Sequence, residues 1–192
     1  MNEASWVEDA RRGDEAAWEV LIHTYQEPVF RLAYLFLGDP DDAADMAQEA
    51  FLRAFRALGR FDASRPLRPW LLQIVANLAR NRRRALGRYW AALQRQFANE
   101  PALVPDAAAH AGARLQATRL WEAVRRLREG EQHMIYLRFF LDLPVTEAAE
   151  AAGIAEGTVK SRTSRALSRL RNVIERDFPD LMEETNGDGF HG

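Results

Sequence analysis

The side chains that could do chemistry in this 192-residue chain are mainly bases, hydroxyls and amides. In the stretch GIAEGTVKSRTSRALSRLR, stepping 100° per residue places one polar set on a single face. That set is Ser161, Ser164, Arg165, Ser168 and Arg171. Small hydroxyls permit close approach to a duplex, and basic groups bind phosphates or guanine edges. The stretch therefore predicts a helix that contacts DNA.

The residues before this helix complete a helix-turn-helix pattern. VTEAAEAAG predicts a short helix that ends at Gly153, and Ile154 is expected to pack under the turn. The second helix would then present its first turns to the major groove. The residues expected to contact DNA there are Thr158, Lys160, Ser161, Ser164 and Arg165. An ordinary αα-hairpin with a solvated basic face is the alternative.

A second candidate site lies in GRFDASRPLRPWLLQIVANLARNRRR. Its helical part has an apolar stripe, and the opposite face carries Gln73, Asn77, Arg80 and Arg84. The loop before it contains three Arg, two Pro, and Phe61 and Trp70 at its edges. Arg for phosphates and aromatic rings for stacking are the components that hold unstacked bases. The alternative places the aromatics in the core, which we expect for Trp70 and leave open for Phe61.

Charge is segregated along the chain, although the net charge is only −2. Residues 1–50 carry 3 Arg against 12 acids, whereas residues 51–90 carry 10 Arg against one Asp. Residues 157–176 carry 6 basic residues against one Glu. Two basic blocks in an otherwise acidic chain suggest two polyanion contacts and acidic surfaces for protein partners. Solvated helix faces are the alternative.

Several function classes find no support in the sequence. The chain has no Cys, its 4 His are scattered, and no nucleophile with a base or Gly-rich phosphate loop is evident. Acids between Asp39 and Glu49 could hold Mg²⁺, but acids are favoured at a helix start by the dipole alone. We therefore expect no catalytic residue, no metal and no cofactor. With no signal peptide or apolar run of membrane length, the expected location is the cytoplasm.

The periodicity predicts an all-α protein of two small helical domains. The expected domains span residues 1–95 and 114–177, and the Pro- and Ala-rich residues 96–113 are expected to form a flexible linker. Residues 178–192 are expected to form a disordered tail.

Three motifs in this order resemble a bacterial RNA polymerase sigma factor of the extracytoplasmic function (ECF) group of the sigma-70 family. They are DPDDAADMAQEAFLRAFRALGRF, RPWLLQIVANLARNRRR, and LREGEQHMIYLRFF continuing through the helix-turn-helix to Arg171. The resemblance covers about residues 10–90 and 118–175. It implies a first domain, sigma region 2, that recognises and melts the −10 element, and a second, region 4, that reads the −35 element as duplex.

The resemblance also implies residue roles and partners. A flipped base would enter the loop 61–68, and the next helix would contact the same strand; the residues concerned are Phe61, Ser64, Arg65, Arg68, Asn77, Arg80, Asn81 and Arg84. The clamp helices of the largest polymerase subunit would be contacted by Asp45, Gln48, Glu49 and Phe51. Region 4 would rest on the polymerase flap, and an anti-sigma factor is an expected inhibitor. Ala155 stands where the family often has a capping Ser. A stand-alone helix-turn-helix regulator is the alternative function.

Overall fold

The computed structural model describes residues 3–96 and 113–183, and every regular element in these ranges is helical. The first range holds α1 (Glu3–Arg11), α2 (Glu15–Leu37), α3 (Pro40–Ala57), a 3₁₀ turn (Leu58–Arg60) and α4 (Leu67–Gln96). The second holds α5 (Ala113–Arg125), α6 (Glu129–Ile135), a π-helical segment (Tyr136–Phe140), α7 (Val145–Ala152), α8 (Glu156–Asp177) and α9 (Asp180–Glu183). The predicted all-α class is confirmed. Nearly all of the predicted linker, residues 97–112, lies outside the described residues.

Local sequence signals set the ends of the long helices. The Asp14 carboxylate accepts hydrogen bonds from the backbone N–H groups of Ala16 (2.9 Å) and Ala17 (3.2 Å) and so caps α2. Gly38 ends this helix at φ 78°, a left-handed conformation that suits glycine. Asp39 then caps α3 by accepting from the Asp42 N–H at 2.8 Å. These caps fix the sharp corner between α2 and α3.

The first four helices form a bundle in which α2 packs against α1, α3 and α4. Its centre is a set of fully buried aliphatic side chains: Leu21, Val29, Leu32, Leu72 and Val75. The apolar stripe predicted for α4 faces this centre, since Leu71, Val75 and Leu78 are buried. The polar face of α4 is therefore directed away from the bundle.

The second half is built around the helix-turn-helix. α6 and α7 both pack against α8, and the residues buried between them include Leu137, Leu143, Ala148, Val159 and Ala166. Gly153 adopts φ 66°, and its N–H donates to Glu150 O (3.1 Å) while the Ile154 N–H donates to Ala149 O (3.0 Å). This pair of bonds is a Schellman motif, as the Gly153 prediction requires.

The two halves share one continuous hydrophobic core. Across their boundary Phe36 meets Tyr136 edge to face at 5.4 Å and His133 at 5.3 Å, while Tyr34 stacks on Trp121 at 6.1 Å. We call these five residues the aromatic seam. The sequence predicted two helical domains joined by a linker and left their relative orientation open, and the structure packs one on the other.

The C-terminal segment is more ordered than expected. Residues 178–192 were predicted to form a disordered tail, but Phe178 is only 3% exposed and α9 follows it. The guanidinium of Arg126 lies 4.8 Å from the centre of the Phe178 ring, and that of Arg119 lies 5.7 Å from it. Cation–π contacts and burial against Ala123 and Val173 hold this segment on α5 and α8. Residues 184–192 lie outside the described residues.

Candidate nucleic-acid and polymerase interfaces

The predicted recognition residues lie on the outer face of α8. Lys160, Ser161, Ser164 and Arg165 are exposed and Thr158 is half-buried, while Val159 between them is completely buried. Val159 anchors the helix, so the polar side chains project outward. The structure thus brings all five predicted residues together on the first turns of α8.

Hydrogen bonds within α8 orient part of this polar face. Ser161 Oγ donates to Thr158 O (3.2 Å), and Arg165 Nε donates to Ser161 O (3.1 Å). Arg165 keeps its terminal NH₂ groups for a phosphate or a guanine edge. The arrangement can read a duplex by direct contacts.

The loop 61–68 forms a compact turn at the start of α4. Asp62 accepts hydrogen bonds from Ser64 N (3.0 Å) and Ser64 Oγ (2.7 Å), and these bonds lower the pKa of the Asp62 carboxyl. Ser64 and Arg65 are exposed, and Arg68 is half-buried. The loop therefore offers two guanidinium groups beside a backbone fixed by Asp62.

Phe61 does not lie among these exposed groups. It is 7% exposed, and its ring packs against Trp70 with centroids 4.7 Å apart. Of the two alternatives left open from the sequence, the structure favours the core position. Phe61 supports the loop here and has no free ring face for a base.

The polar face of α4 continues the basic surface. Arg80 donates from Nε to Ala76 O (3.0 Å) and from Nη2 to Asn77 Oδ1 (2.8 Å). Partial burial lowers the pKa of Arg80, because the charged guanidinium has lost part of its hydration. Asn77, Asn81 and Arg84 are exposed beside it. We call Arg80, these three residues and the loop 61–68 the strand-binding face, after the role predicted for them from the sequence.

The predicted polymerase residues lie on α3. Asp45 and Gln48 are exposed, Glu49 forms an ion pair with Arg53 (2.6 Å), and half-buried Phe51 meets Trp18 edge to face at 6.5 Å. The four predicted residues therefore lie along one helix.

Sequence reasoning missed an apolar part of this surface. Leu52 is 51% exposed and Phe55 is 55% exposed, and the Phe55 ring lies 5.3 Å from the Trp18 ring. Both residues are apolar but fall on the solvent-facing side of an amphipathic helix. Large apolar residues at such positions were the sequence signal that could have revealed this surface. With Phe51 and Trp18 they form what we call the α3 patch.

The acids weighed as a Mg²⁺ site have other roles. Asp39 caps α3, and Asp42 pairs with Arg82 of α4. Within the described ranges no group of three or more acidic or His side chains could hold a metal ion. Over the same residues, none of the helices combines the length and apolar character that a bilayer crossing requires.

Comparisons with known proteins agree with this layout. The family described as Sigma-70 region 2 matches residues 21–89, and that described as Sigma-70, region 4 matches residues 117–170. The chain is 32% identical to the RNA polymerase sigma-H factor of Pseudomonas aeruginosa, an alignment that covers 93% of this chain and 94% of that protein. It is 31% identical to the ECF RNA polymerase sigma factor SigM of Mycobacterium tuberculosis, with coverage of 84% and 79%.

A solved structure shares the fold. The sigma factor RpoE of Bartonella quintana, determined in complex with the anti-sigma factor NepR, superposes with a TM-score of 0.66 at 24% identity. The superposition covers 83% of this chain and 97% of that one. Both region families match this chain, region 2 before region 4, and the two relatives align with most of its length. This chain therefore belongs to the ECF group of the sigma-70 family of RNA polymerase sigma factors.

Proposed function

We propose that this protein directs core RNA polymerase to specific promoters and helps to open the DNA there. The observation that carries the proposal is the presence, in one chain, of a helix whose first turns expose basic and hydroxyl side chains, a separate basic face on α4, and an exposed apolar patch on the helix that carries Asp45, Gln48 and Glu49. In this division of work, α8 reads the −35 element and the strand-binding face holds the melted −10 strand. The α3 patch with Asp45, Gln48 and Glu49 docks on the clamp helices, and the second half rests on the flap.

The energetics favour two DNA contacts over one. Separating base pairs costs on average about 1.4 kcal/mol per step, so opening several pairs needs a compensating interaction with the freed strand. Each hydrogen bond from a charged side chain of this face, such as Arg80, to the freed strand returns about 1.5–3 kcal/mol. A protein that binds only duplex would oppose opening, because its contacts favour the closed state.

The proposal assigns no catalytic group to this chain. Phosphodiester formation would belong to the polymerase, which acts in the cytoplasm, and we place this protein there with it. An anti-sigma factor is a further proposed partner, supported by the complex of the RpoE relative with NepR.

Run-off transcription tests the main proposal. Purified core polymerase is supplied with a randomised promoter library, with and without this protein. Transcripts that depend on the protein and share two spaced elements are expected, and they would supply the recognition sequence. No dependent transcripts, together with tight duplex binding in the absence of polymerase, would favour the stand-alone regulator.

A further inference from the structure

The loop 61–68 is held at both ends by the same helix, α1. Before its start, the backbone oxygen of Leu58 accepts a hydrogen bond from Arg11 Nε at 3.0 Å. Near its end, the backbone N–H of Leu67 donates to Glu3 Oε1 at 2.9 Å. These bonds join groups that lie 47 and 64 residues apart in the sequence. The position of each loop end therefore depends on α1.

Glu3 supplies an acceptor that the sequence next to α4 lacks. This helix begins at Leu67, directly after Pro66, whose side chain has no hydrogen-bonding group. The Glu3 carboxylate accepts in its place, and its negative charge suits the positive end of the helix dipole. The Tyr25 hydroxyl of α2 donates to the other carboxylate oxygen of Glu3. Burial, followed by this hydrogen bond, raises the pKa of Tyr25, so the hydroxyl keeps its proton and remains a donor.

Arg11 holds the turn from which the loop departs. Its acceptor, the Leu58 oxygen, also receives the backbone N–H of Phe61 at 3.1 Å, so both lone pairs of this carbonyl are used. Glu8, one turn earlier on α1, pairs with a terminal nitrogen of the Arg11 guanidinium and leaves Nε for the turn. The positive charge of Arg11 also acts on the carboxylate of Asp62. Arg11 thus joins α1 to the first residues of the loop.

The geometry of α1 makes these two contacts one unit. Glu3, Val7, Ala10 and Arg11 fall on one face of the helix, at spacings of i, i+4, i+7 and i+8. Val7 and Ala10, between the two polar residues, are buried in the bundle. Eight helical steps separate the backbones of Glu3 and Arg11 by about 12 Å. A helix packed at its centre therefore holds the two ends of the loop at a fixed separation.

We propose that α1 is a brace for the loop 61–68, in which Glu3 and Arg11 are positioning residues for base recognition. The inference rests on the proposed function, because it takes this loop as the place where a base of the melted −10 strand binds. Neither side chain needs to touch the strand. Each acts through the backbone of the loop, whose shape decides which base fits. A loop released from α1 would become ordered only on binding, which costs affinity and weakens discrimination between bases.

The test measures base discrimination by the complex of core polymerase with the full-length protein. The probes are fluorescently labelled single-stranded oligonucleotides that carry the non-template −10 sequence found by run-off transcription, with each base in turn at the most selective position. Glu3→Ala removes the acceptor for the Leu67 N–H. We expect it to bind the preferred probe about fivefold more weakly, and its preference over the other bases should fall by a similar factor. Loss of a negative charge alone would strengthen binding to DNA, so the expected effect has the opposite sign.

Three further variants separate positioning from folding and from charge. Glu3→Gln keeps a side-chain oxygen for the Leu67 N–H and should restore most of the affinity and the discrimination. Tyr25→Phe removes one hydroxyl without changing the loop, and it should act in the same direction as Glu3→Ala by a smaller factor. Glu19→Ala removes an exposed acid from α2 and should cause no loss. Thermal melts and gel shifts on duplex −35 DNA accompany every variant.

The outcomes distinguish the brace from the proposal on which it rests. If Glu3→Ala lowers the melting temperature but keeps wild-type affinity and discrimination, Glu3 has a structural role only and the brace is overturned. Equal losses of single-strand and duplex binding would overturn it as well. If Arg65→Ala and Arg68→Ala leave probe binding unchanged, the strand-binding assignment itself fails, and the brace fails with it. If those two variants weaken binding while Glu3→Ala does not, the assignment stands and the brace alone is refuted.

Discussion

At the scale of single residues, Arg80 is the best prepared side chain for a melted strand. Its bonds to Ala76 and Asn77 fix the guanidinium, and partial burial has removed some of the water that would compete with a phosphate. We expect Arg80→Ala to weaken promoter opening by about 1.5–3 kcal/mol, the range for hydrogen bonds to charged groups. Duplex binding through α8 should be nearly unchanged.

Two assays on the polymerase complex check this. Permanganate reactivity of unpaired thymines measures opening, and gel shift of the closed complex measures duplex binding. Arg12→Ala removes an exposed arginine that pairs with Asp9 and serves as the control. An equal loss of promoter opening and of duplex binding would contradict the assignment of Arg80 to the melted strand.

The burial of His133 leads us to expect that the stability of the protein depends on pH. This residue is buried against Phe36, with Arg80 and Arg162 as its charged neighbours, and its Nε2 has no hydrogen-bond partner among the described residues. Burial first, and then these two arginines, lower the pKa of His133 from 6.5 to about 3. Because the pKa of His133 is lower in the folded protein than in the unfolded chain, the contribution of this residue to stability is fully present above the unfolded pKa. That contribution is lost as the pH falls from there toward the folded pKa.

The free energy of unfolding should fall by about 1 kcal/mol between about pH 7 and about pH 5.5, a range in which most carboxylates stay ionised. Urea unfolding at the two pH values measures it. The His133→Leu variant should lose this dependence, whatever its absolute stability. A wild-type free energy of unfolding that does not change over this range would show that the imidazole can reach water.

At the scale of secondary-structure elements, α8 begins without a side-chain cap. Ala155 occupies the N-cap in an extended conformation, φ −67° and ψ 148°, and no side chain accepts from the first turn. Ala155→Ser supplies an acceptor for those N–H groups and should raise the free energy of unfolding by about 0.5–2 kcal/mol. Chemical denaturation checks this, with Ala155→Val as a matched control that adds no acceptor. No gain from Ser over Val would mean that the first turn is already satisfied by water.

The C-terminal segment yields a second prediction at this scale. Phe178 is buried between the α5 arginines and the end of α8, so Phe178→Ala should cost about 3 kcal/mol, as for other large core residues. Phe139 is 55% exposed, and Phe139→Ala should change stability little. Thermal unfolding compares the two variants. Similar melting temperatures would show that residues 178–183 contribute nothing to the fold.

The same elements show what could be predicted from sequence. The period of apolar residues is local, so the stripe on α4 and the polar face of α8 followed from it, and the turn at Gly153 followed from the glycine itself. The position of Phe178 was missed because its partners, Arg119 and Arg126, lie 59 and 52 residues away along the chain. Phe61 remained open because a loop aromatic can serve a site or a core equally well.

At the scale of the whole molecule, packing of the two halves was the part that sequence could not supply. Tyr34 and Phe36 occur in a helix whose apolar surface exceeds what its own bundle needs, but nothing local specifies Trp121 and Tyr136 as partners. The segregation of charge along the sequence partly indicated this packing. The basic residues 51–90 meet acids of α6 and α7 across the boundary, so the halves attract one another as each would attract its external partner.

The α3 patch remains outside this internal contact and should mediate assembly with polymerase. Phe55 touches Trp18 and is otherwise solvent-exposed, so Phe55→Ala removes apolar contact area for a partner at little cost to folding. We expect it to weaken binding to core polymerase about tenfold, equivalent to about 1.4 kcal/mol. Leu120→Ala, at an exposed apolar position on α5, is the control. Fluorescence anisotropy with labelled protein measures the affinity of both variants for core polymerase. If Phe55→Ala binds core polymerase as tightly as the wild type does, polymerase must dock on another surface, and the α3 assignment is wrong.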